Sequence, residues 1–164
     1  MAVAEDFQIN RSITGDRPQF DSSQRAAPAT ASEFLAATDA ILALPRVEAL
    51  RWRQATPYFN DGDPCEFTVH EPCVKLSGLN TDEDGDEYGD YEDGFVSGWE
   101  LGYYAEKKSF GFEELPRELI DELKKALGSW GKLYAEEVCK RNFGDHATVT
   151  ATTAGFEIEY FEHS

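Results

Sequence analysis

Hydrophobic and polar positions alternate along this chain with two different periods, and the period changes mark its elements. In SEFLAATDAILALP (32–45), Phe34, Leu35, Thr38, Ile41 and Leu42 recur at three- and four-residue spacing. That spacing places them on one stripe of a helix of about three turns. Ser32 reads as its N-cap, and Pro45 ends it. RVEALRWRQATPYF switches to a period of two. Val47, Ala49, Arg51 and Arg53 share one parity; Glu48, Leu50, Trp52 and Gln54 share the other. This predicts a strand over 48–55. Asn60-Asp61-Gly62 is turn chemistry, because these residues tolerate the positive φ of tight hairpin turns. Cys65, Phe67 and Val69 then alternate with Glu66, Thr68 and His70. A half-buried second strand pairing with the first is the expected result.

GFVSGWELGYYAEKKSF carries Phe95, Val96, Trp99, Leu101 and Tyr103, which reads as a third strand. EELPRELIDELKKALGSWGKLYAEEVCKRNFG is helical. Leu115, Leu119, Ile120, Leu123 and Leu127 form one stripe; Trp130, Leu133, Tyr134, Val138 and Cys139 form a second. Gly128 and Gly131 between them point to a kink or to two helices, and Gly144 to a stop. At the end, Ala147, Val149 and Ala151 alternate with threonines, and Phe156, Ile158 and Tyr160 with Glu157 and Glu159. Gly155 turns this pair into a hairpin.

Residues 1–31, with DRPQFDSSQRAAPATAS at their centre, have no apolar period and read as a flexible tail. Phe7, Ile9, Ile13 and Phe20 are its docking residues, onto the body or a partner. Residues 32–164 then form one α+β domain with an acidic loop at 80–94. The expected architecture is an antiparallel sheet of about four to six strands with two or three helices on one face.

Composition sharpens this picture. The 164 residues suit one domain, and 41% apolar with 13% aromatic content is enough to build its core. Thirty-two acidic residues against fifteen basic give a net charge of −17. Such a surface repels nucleic acid and anionic membranes and favours basic partners. Three cysteines (Cys65, Cys73 and Cys139) make no disulfide framework. There is no secretory signal and no apolar run near the roughly 18 residues a membrane span needs. A reducing cytoplasm is the expected compartment.

The densest charge lies in TDEDGDEYGDYEDG (81–94), which holds eight carboxylates and no cation. As a calcium loop it fits neither register. Starting at Asp82 gives Asp84, Asp86, Tyr88, Asp90 and Asp93 at ligand positions, but Glu87 stands where the sharp turn wants glycine. Starting at Asp84 puts Gly89 there but leaves Tyr88 at position five and Phe95 at twelve. Two readings remain: a solvated loop, or a surface that imitates the phosphate spacing of about 3.4 Å along a nucleic-acid strand. In the second, Asp82, Glu83, Asp84, Asp86, Glu87, Asp90, Glu92 and Asp93 meet a basic groove, and Tyr88 and Tyr91 anchor the contact.

Other constellations are weaker. Cys65, His70, Cys73, Cys139 and His146 match no zinc-site spacing, and the parity of Cys65 and Cys73 with Phe67 and Val69 assigns them to a sheet's core face. His70-Glu71 and Asp145-His146 are adjacent pairs, which a strand points to opposite faces. No nucleophile elbow, paired-carboxylate motif or phosphate loop is present. The expectation is a non-enzymatic protein without metal or cofactor.

ATPYFNDGDPCEFTVHEP, SGWELGYY and FGDHATVTATTAGFEIEYFEHS resemble segments of small acidic proteins encoded by bacteriophages, notably those of actinobacteria. The resemblance covers residues 47–76, 95–104 and 114–163. It implies a phage-encoded protein acting inside a bacterial cell or carried in a particle, and it assigns no residue a role. With the charge pattern it yields two expectations. One is a module that inhibits or modulates a host nucleic-acid-handling or defence protein through its acidic surface. The alternative is a virion decoration or assembly protein that uses its N-terminal tail as an arm.

Overall fold

The computed structural model describes residues 4–16, 29–56, 67–78, 94–108, 111–133 and 135–161. The described residues form a seven-stranded, mostly antiparallel sheet with four α-helices, an α+β domain with somewhat more strands than expected. In chain order come β1 (Ile13–Gly15), α1 (Ala31–Leu42), β2 (Val47–Ala55), β3 (Thr68–Val69), β4 (Cys73–Leu76), β5 (Val96–Ser97) and α2 (Gly98–Lys107). They are followed by α3 (Arg117–Gly131), α4 (Glu136–Phe143), β6 (Ala147–Thr152) and β7 (Gly155–Tyr160). The strand order is β1-β7-β6-β2-β4-β5, with β3 also on β2.

One face of the sheet carries the main core. Register places Leu50 beside Val74 and Ala151, Ala151 beside Phe156, and Trp52 beside Val149, which pairs with Ile158. All of these side chains are buried in one cluster with apolar residues of the four helices. Phe34 of α1 sits at its centre, with ring centroids 5.8 Å from Trp52 and Trp130 and 6.1 Å from Phe156. A polar side chain in such a core needs partners, and Gln54 has them. Its amide donates to the carbonyls of Cys139 and Gly144 at 2.9 and 2.6 Å and accepts from the Trp52 indole at 2.8 Å. It thereby ties the central strand to the end of α4.

Three expectations are corrected. First, α1 is capped by Thr30, not Ser32. The Thr30 hydroxyl accepts from the Glu33 N–H, and the Glu33 carboxylate accepts from the Thr30 N–H, a reciprocal pair that fixes the first turn.

Second, residues 4–16 of the segment expected as a tail are built into the domain. A 3-10 turn (Ala4–Phe7) leads into β1, which runs parallel to β7. Phe7 and Ile9 are buried. The Asn142 side chain donates to the Phe7 carbonyl at 2.8 Å and accepts from the Ile9 N–H at 3.3 Å. Arg11 and Asp39 add a two-pronged ion pair, both distances 2.7 Å. Glycine at 15 and 155, both at positive φ, allows the close approach of the strands. A Cβ at Gly15 would run into the Ile158 carbonyl, and one at Gly155 into that of Ser12.

Third, the expected third strand over 95–103 is only β5, after which the chain turns into α2. Ser97 and Glu100 form the same kind of reciprocal cap, at 3.3 and 2.9 Å. Cap chemistry overrides the apparent alternation, since Trp99 and Tyr103 also satisfy four-residue helical spacing.

Candidate functional site

The acidic residues and tyrosines singled out in 82–93 lie outside the described residues, as do the turn at 60–62, Cys65 and Phe20. The flanks of the acidic connection are well defined. It leaves from β4 and returns to β5, which are antiparallel neighbours: Cys73 pairs with Ser97 and Val74 with Val96. On the outgoing side, the Arg46 guanidinium donates to the Ser77 carbonyl from Nε and Nη2 at 3.1 and 2.8 Å. The Ser77 N–H donates back to the Arg46 carbonyl at 2.8 Å. On the return side, Gly94 takes a positive φ of 84° and Phe95 is buried. The Arg51 guanidinium lies 4.2 Å from the Phe95 ring centroid and donates to the Thr150 hydroxyl at 2.8 Å. Two guanidiniums thus hold the two ends of the most acidic segment on neighbouring strands.

Phe95, Ala49 and Cys73 form a small second cluster on the sheet face away from the helices. Cys73 is buried, but not on the face that Phe67 and Val69 use. Parity does not carry through Pro72. Val69 pairs with Gln54, which faces the helices, whereas Cys73 pairs with Arg51, which faces away. Cys139 lies in the main core, where burial and then the nearby Glu136 push its thiol pKa well up. The structure therefore does not bring the candidate zinc ligands Cys73 and Cys139 together. Among the described residues there is no group of three or more His, Cys, Asp or Glu placed to hold a metal.

Asp145 and His146 are brought together with Thr56 instead. Asp145 accepts from the Thr56 N–H and hydroxyl, each at 2.7 Å, and from the His146 N–H at 2.8 Å. The His146 ring nitrogen lies 3.6 Å from the carboxylate. Burial alone would raise the Asp145 pKa; the Thr56 hydrogen bonds, then the His146 charge and N–H, bring it below the usual value. His146 itself sits at positive φ. The carboxylate's bonds go to backbone and hydroxyl donors, so its geometry is that of a clasp between the end of β2 and the start of β6.

The sequence pattern missed the exposed aromatic face of α2. Trp99 is 68% exposed and Tyr103 42%, with rings stacked at 5.0 Å and 14°. Lys107 reaches over the Tyr103 ring at 5.8 Å. The signal for it is SGWE: a Ser-x-x-Glu cap starts a helix there and sets Trp99, Tyr103 and Lys107 on one stripe. A cleft of 780 Å3 opens on one side of Trp99 and another of 500 Å3 on the other.

Comparison with models of known families, with curated proteins and with solved structures finds no match. Among the described residues, no helix is long and apolar enough to cross a membrane.

Proposed function

We propose that this is a non-enzymatic, phage-type protein-binding module that acts in the bacterial cytoplasm. Its acidic segment, Asp82, Glu83, Asp84, Asp86, Glu87, Asp90, Glu92 and Asp93 with Tyr88 and Tyr91, engages a basic surface. The target class is a host nucleic-acid-handling or defence protein, whose basic groove the carboxylates occupy in place of phosphates. The supporting observation is the anchorage of the segment: both its ends are fixed on paired strands by Arg46 and Arg51. A segment held at both ends loses less freedom on binding than a free tail does.

The test is a pull-down from bacterial lysate with the tagged protein and with a variant bearing Asn or Gln at the eight acidic positions. Both are run at low and high salt and with a chelator. A partner held by wild type alone, lost at high salt and indifferent to chelator, supports the reading. A partner held equally by both proteins ends it.

The other reading, a virion decoration or assembly protein with an N-terminal arm, retains less residue-level support. Of the four apolar residues that motivate it, Phe7 and Ile9 are buried in the domain and Ile13 lies in β1. Stoichiometric presence in purified particles would favour it over the first.

A further inference from the structure

Residues 4–16 lie against the domain as an extended peptide lies in a binding groove. Their side chains alternate: Phe7 and Ile9 are buried, while Asp6, Gln8 and Asn10 are exposed. The walls of the groove are α4, α1 and the edge of β7. The buried Asn142 side chain, held by the Val138 carbonyl at 2.8 Å, reads the main chain of the segment at two points. It donates to the Phe7 carbonyl at 2.8 Å and accepts from the Ile9 N–H at 3.3 Å. β7 reads it at two more: the Phe156 N–H donates to the Ser12 carbonyl at 2.9 Å, and the Ile158 carbonyl accepts from the Asp16 N–H at 3.2 Å. Side chains add selectivity. Arg11 pairs with Asp39, and the Phe7 ring centroid lies 5.5 Å from the Arg141 guanidinium. Main-chain bonds for affinity and pockets for alternate side chains are the means by which a domain takes up a strand from another chain. The groups that read the segment all lie between Asp39 and Ile158 in the chain. Residues 17–28 join it to α1, a reach of up to about 40 Å when extended.

We infer that this groove takes the same segment from a second copy of the chain, so that two copies pair by exchanging residues 4–16. The occupant is the one whose fit is already displayed. Every copy carries the sequence that the groove holds, and each contact made within one copy is remade between two. β1 is the outer strand of the sheet, so its exchange leaves the pairing of β7, β6, β2, β4 and β5 unchanged. Within one copy the tether keeps the segment at high local concentration, so the internal arrangement prevails in dilute solution. Exchange emerges when the internal segment is weakened. The net charge of −17 on each copy opposes pairing, and added salt relieves that opposition. The exchange does not depend on what the acidic segment binds.

The test uses two full-length variants, each with one half of the contact damaged. Gly15→Ala spoils the segment, because a Cβ there runs into the Ile158 carbonyl, and leaves the groove intact. Asn142→Ala spoils the groove and leaves the segment intact. Each variant alone should sediment as a monomer. Mixed in equal amounts in about 0.3 M NaCl, which screens repulsion, they should form a one-to-one dimer. A fluorescein-labelled peptide of residues 4–16 gives a second measure. It should bind the Gly15→Ala chain about 10-fold or more tightly than wild type, since apparent affinity scales with the fraction of grooves that are open. The same peptide bearing Phe7→Asp should not bind. Arg11→Ala, at an exposed position, serves if Gly15→Ala fails to fold. It should tighten peptide binding by up to about 5-fold, the worth of an exposed ion pair. Peptide binding no tighter to these variants than to wild type overturns the inference, because a segment with only a structural role yields no groove to an incoming strand. A mixture that stays monomeric up to about 1 mM overturns it as well. So does a peptide that binds while the chains do not pair, which would assign the groove to a different partner.

Discussion

Gln54 shows how one buried amide decides whether this sheet and its helices stay together. Its three hydrogen bonds reach the Cys139 carbonyl inside α4, the Gly144 carbonyl at its end and the Trp52 indole. Gln54→Leu keeps the approximate volume but takes this partner from the Trp52 indole and the Gly144 carbonyl; the Cys139 carbonyl, inside α4, keeps its helical bond. A stability loss of about 2–4 kcal/mol is expected, since each orphaned buried group costs about 1–3 kcal/mol less whatever relaxation recovers. Urea unfolding at unchanged slope would measure it, and a loss under about 0.5 kcal/mol would contradict the staple. Asp145 makes a pH-dependent contribution instead. Its folded pKa lies below the unfolded value of about 3.9, so its share of stability is fully present above that pH. That share is lost as pH falls through the lowered folded pKa. Asp145→Asn should therefore lower stability at pH 7 and flatten the acid limb of the stability curve below about pH 4. An acid limb identical to that of wild type would show that the clasp carries no charge-dependent bond.

At the scale of elements, β1 is the component whose removal should matter most against its length. The segment leading into its three residues is locked by Asn142 and the Arg11–Asp39 pair, and the strand itself meets β7 at two glycines of positive φ. Gly155→Ala should cost about 1–3 kcal/mol, because its Cβ has no room before the Ser12 carbonyl and its φ of 140° is strained for any L residue. Deletion of residues 1–16 should destabilise more, by uncovering the site of Phe7 and Ile9 and freeing the edge of β7. Thermal unfolding of both variants checks this; a truncated chain as stable as the full one would return the segment to a tail. The same element explains what can be read from sequence. Long periodic runs are legible: α3 buries Leu119, Ile120, Leu123 and Leu127 as its spacing requires, and the 147–160 hairpin forms around the predicted alternation. β1 is not, because a three-residue edge strand has no period, and the burial of Phe7 and Ile9 before it is tied to Asn142, which is 133 residues from Ile9 along the chain. α2 misleads because 95–103 satisfies both periods at once, and only the Ser97–Glu100 cap breaks the tie. The anchors of the acidic segment are equally hidden. Arg46 and Arg51 find their roles through pairing of β2 with β4, which local sequence does not encode.

For the molecule as a whole, the net charge of −17 sets a prediction whose sign is not obvious from its ion pairs. Arg11–Asp39 and Arg117–Asp121 are exposed pairs that added salt weakens, each by no more than about 1 kcal/mol. Screening acts still less on the mostly buried pair of Glu137 with Arg141. Against these stands repulsion among an excess of seventeen negative charges, which is relieved when the chain unfolds and expands. The excess outweighs the pairs, so the melting temperature should rise with NaCl between about 0.05 and 0.5 M. For a chain of this size a gain of about 1 kcal/mol corresponds to about 2–4 °C. The variant with eight neutral residues in 82–93 carries −9, eight charges fewer than −17, and separates the sources. If the acidic segment presses its charge on the body, the variant should be more stable than wild type at low salt and should respond less to NaCl. An unchanged response would place the repulsion in the other twenty-four acids and leave the segment's charge electrostatically remote from the fold. A melting temperature that falls with NaCl would mean that the ion pairs win, and the molecule would then carry its acidic surface at no cost to folding.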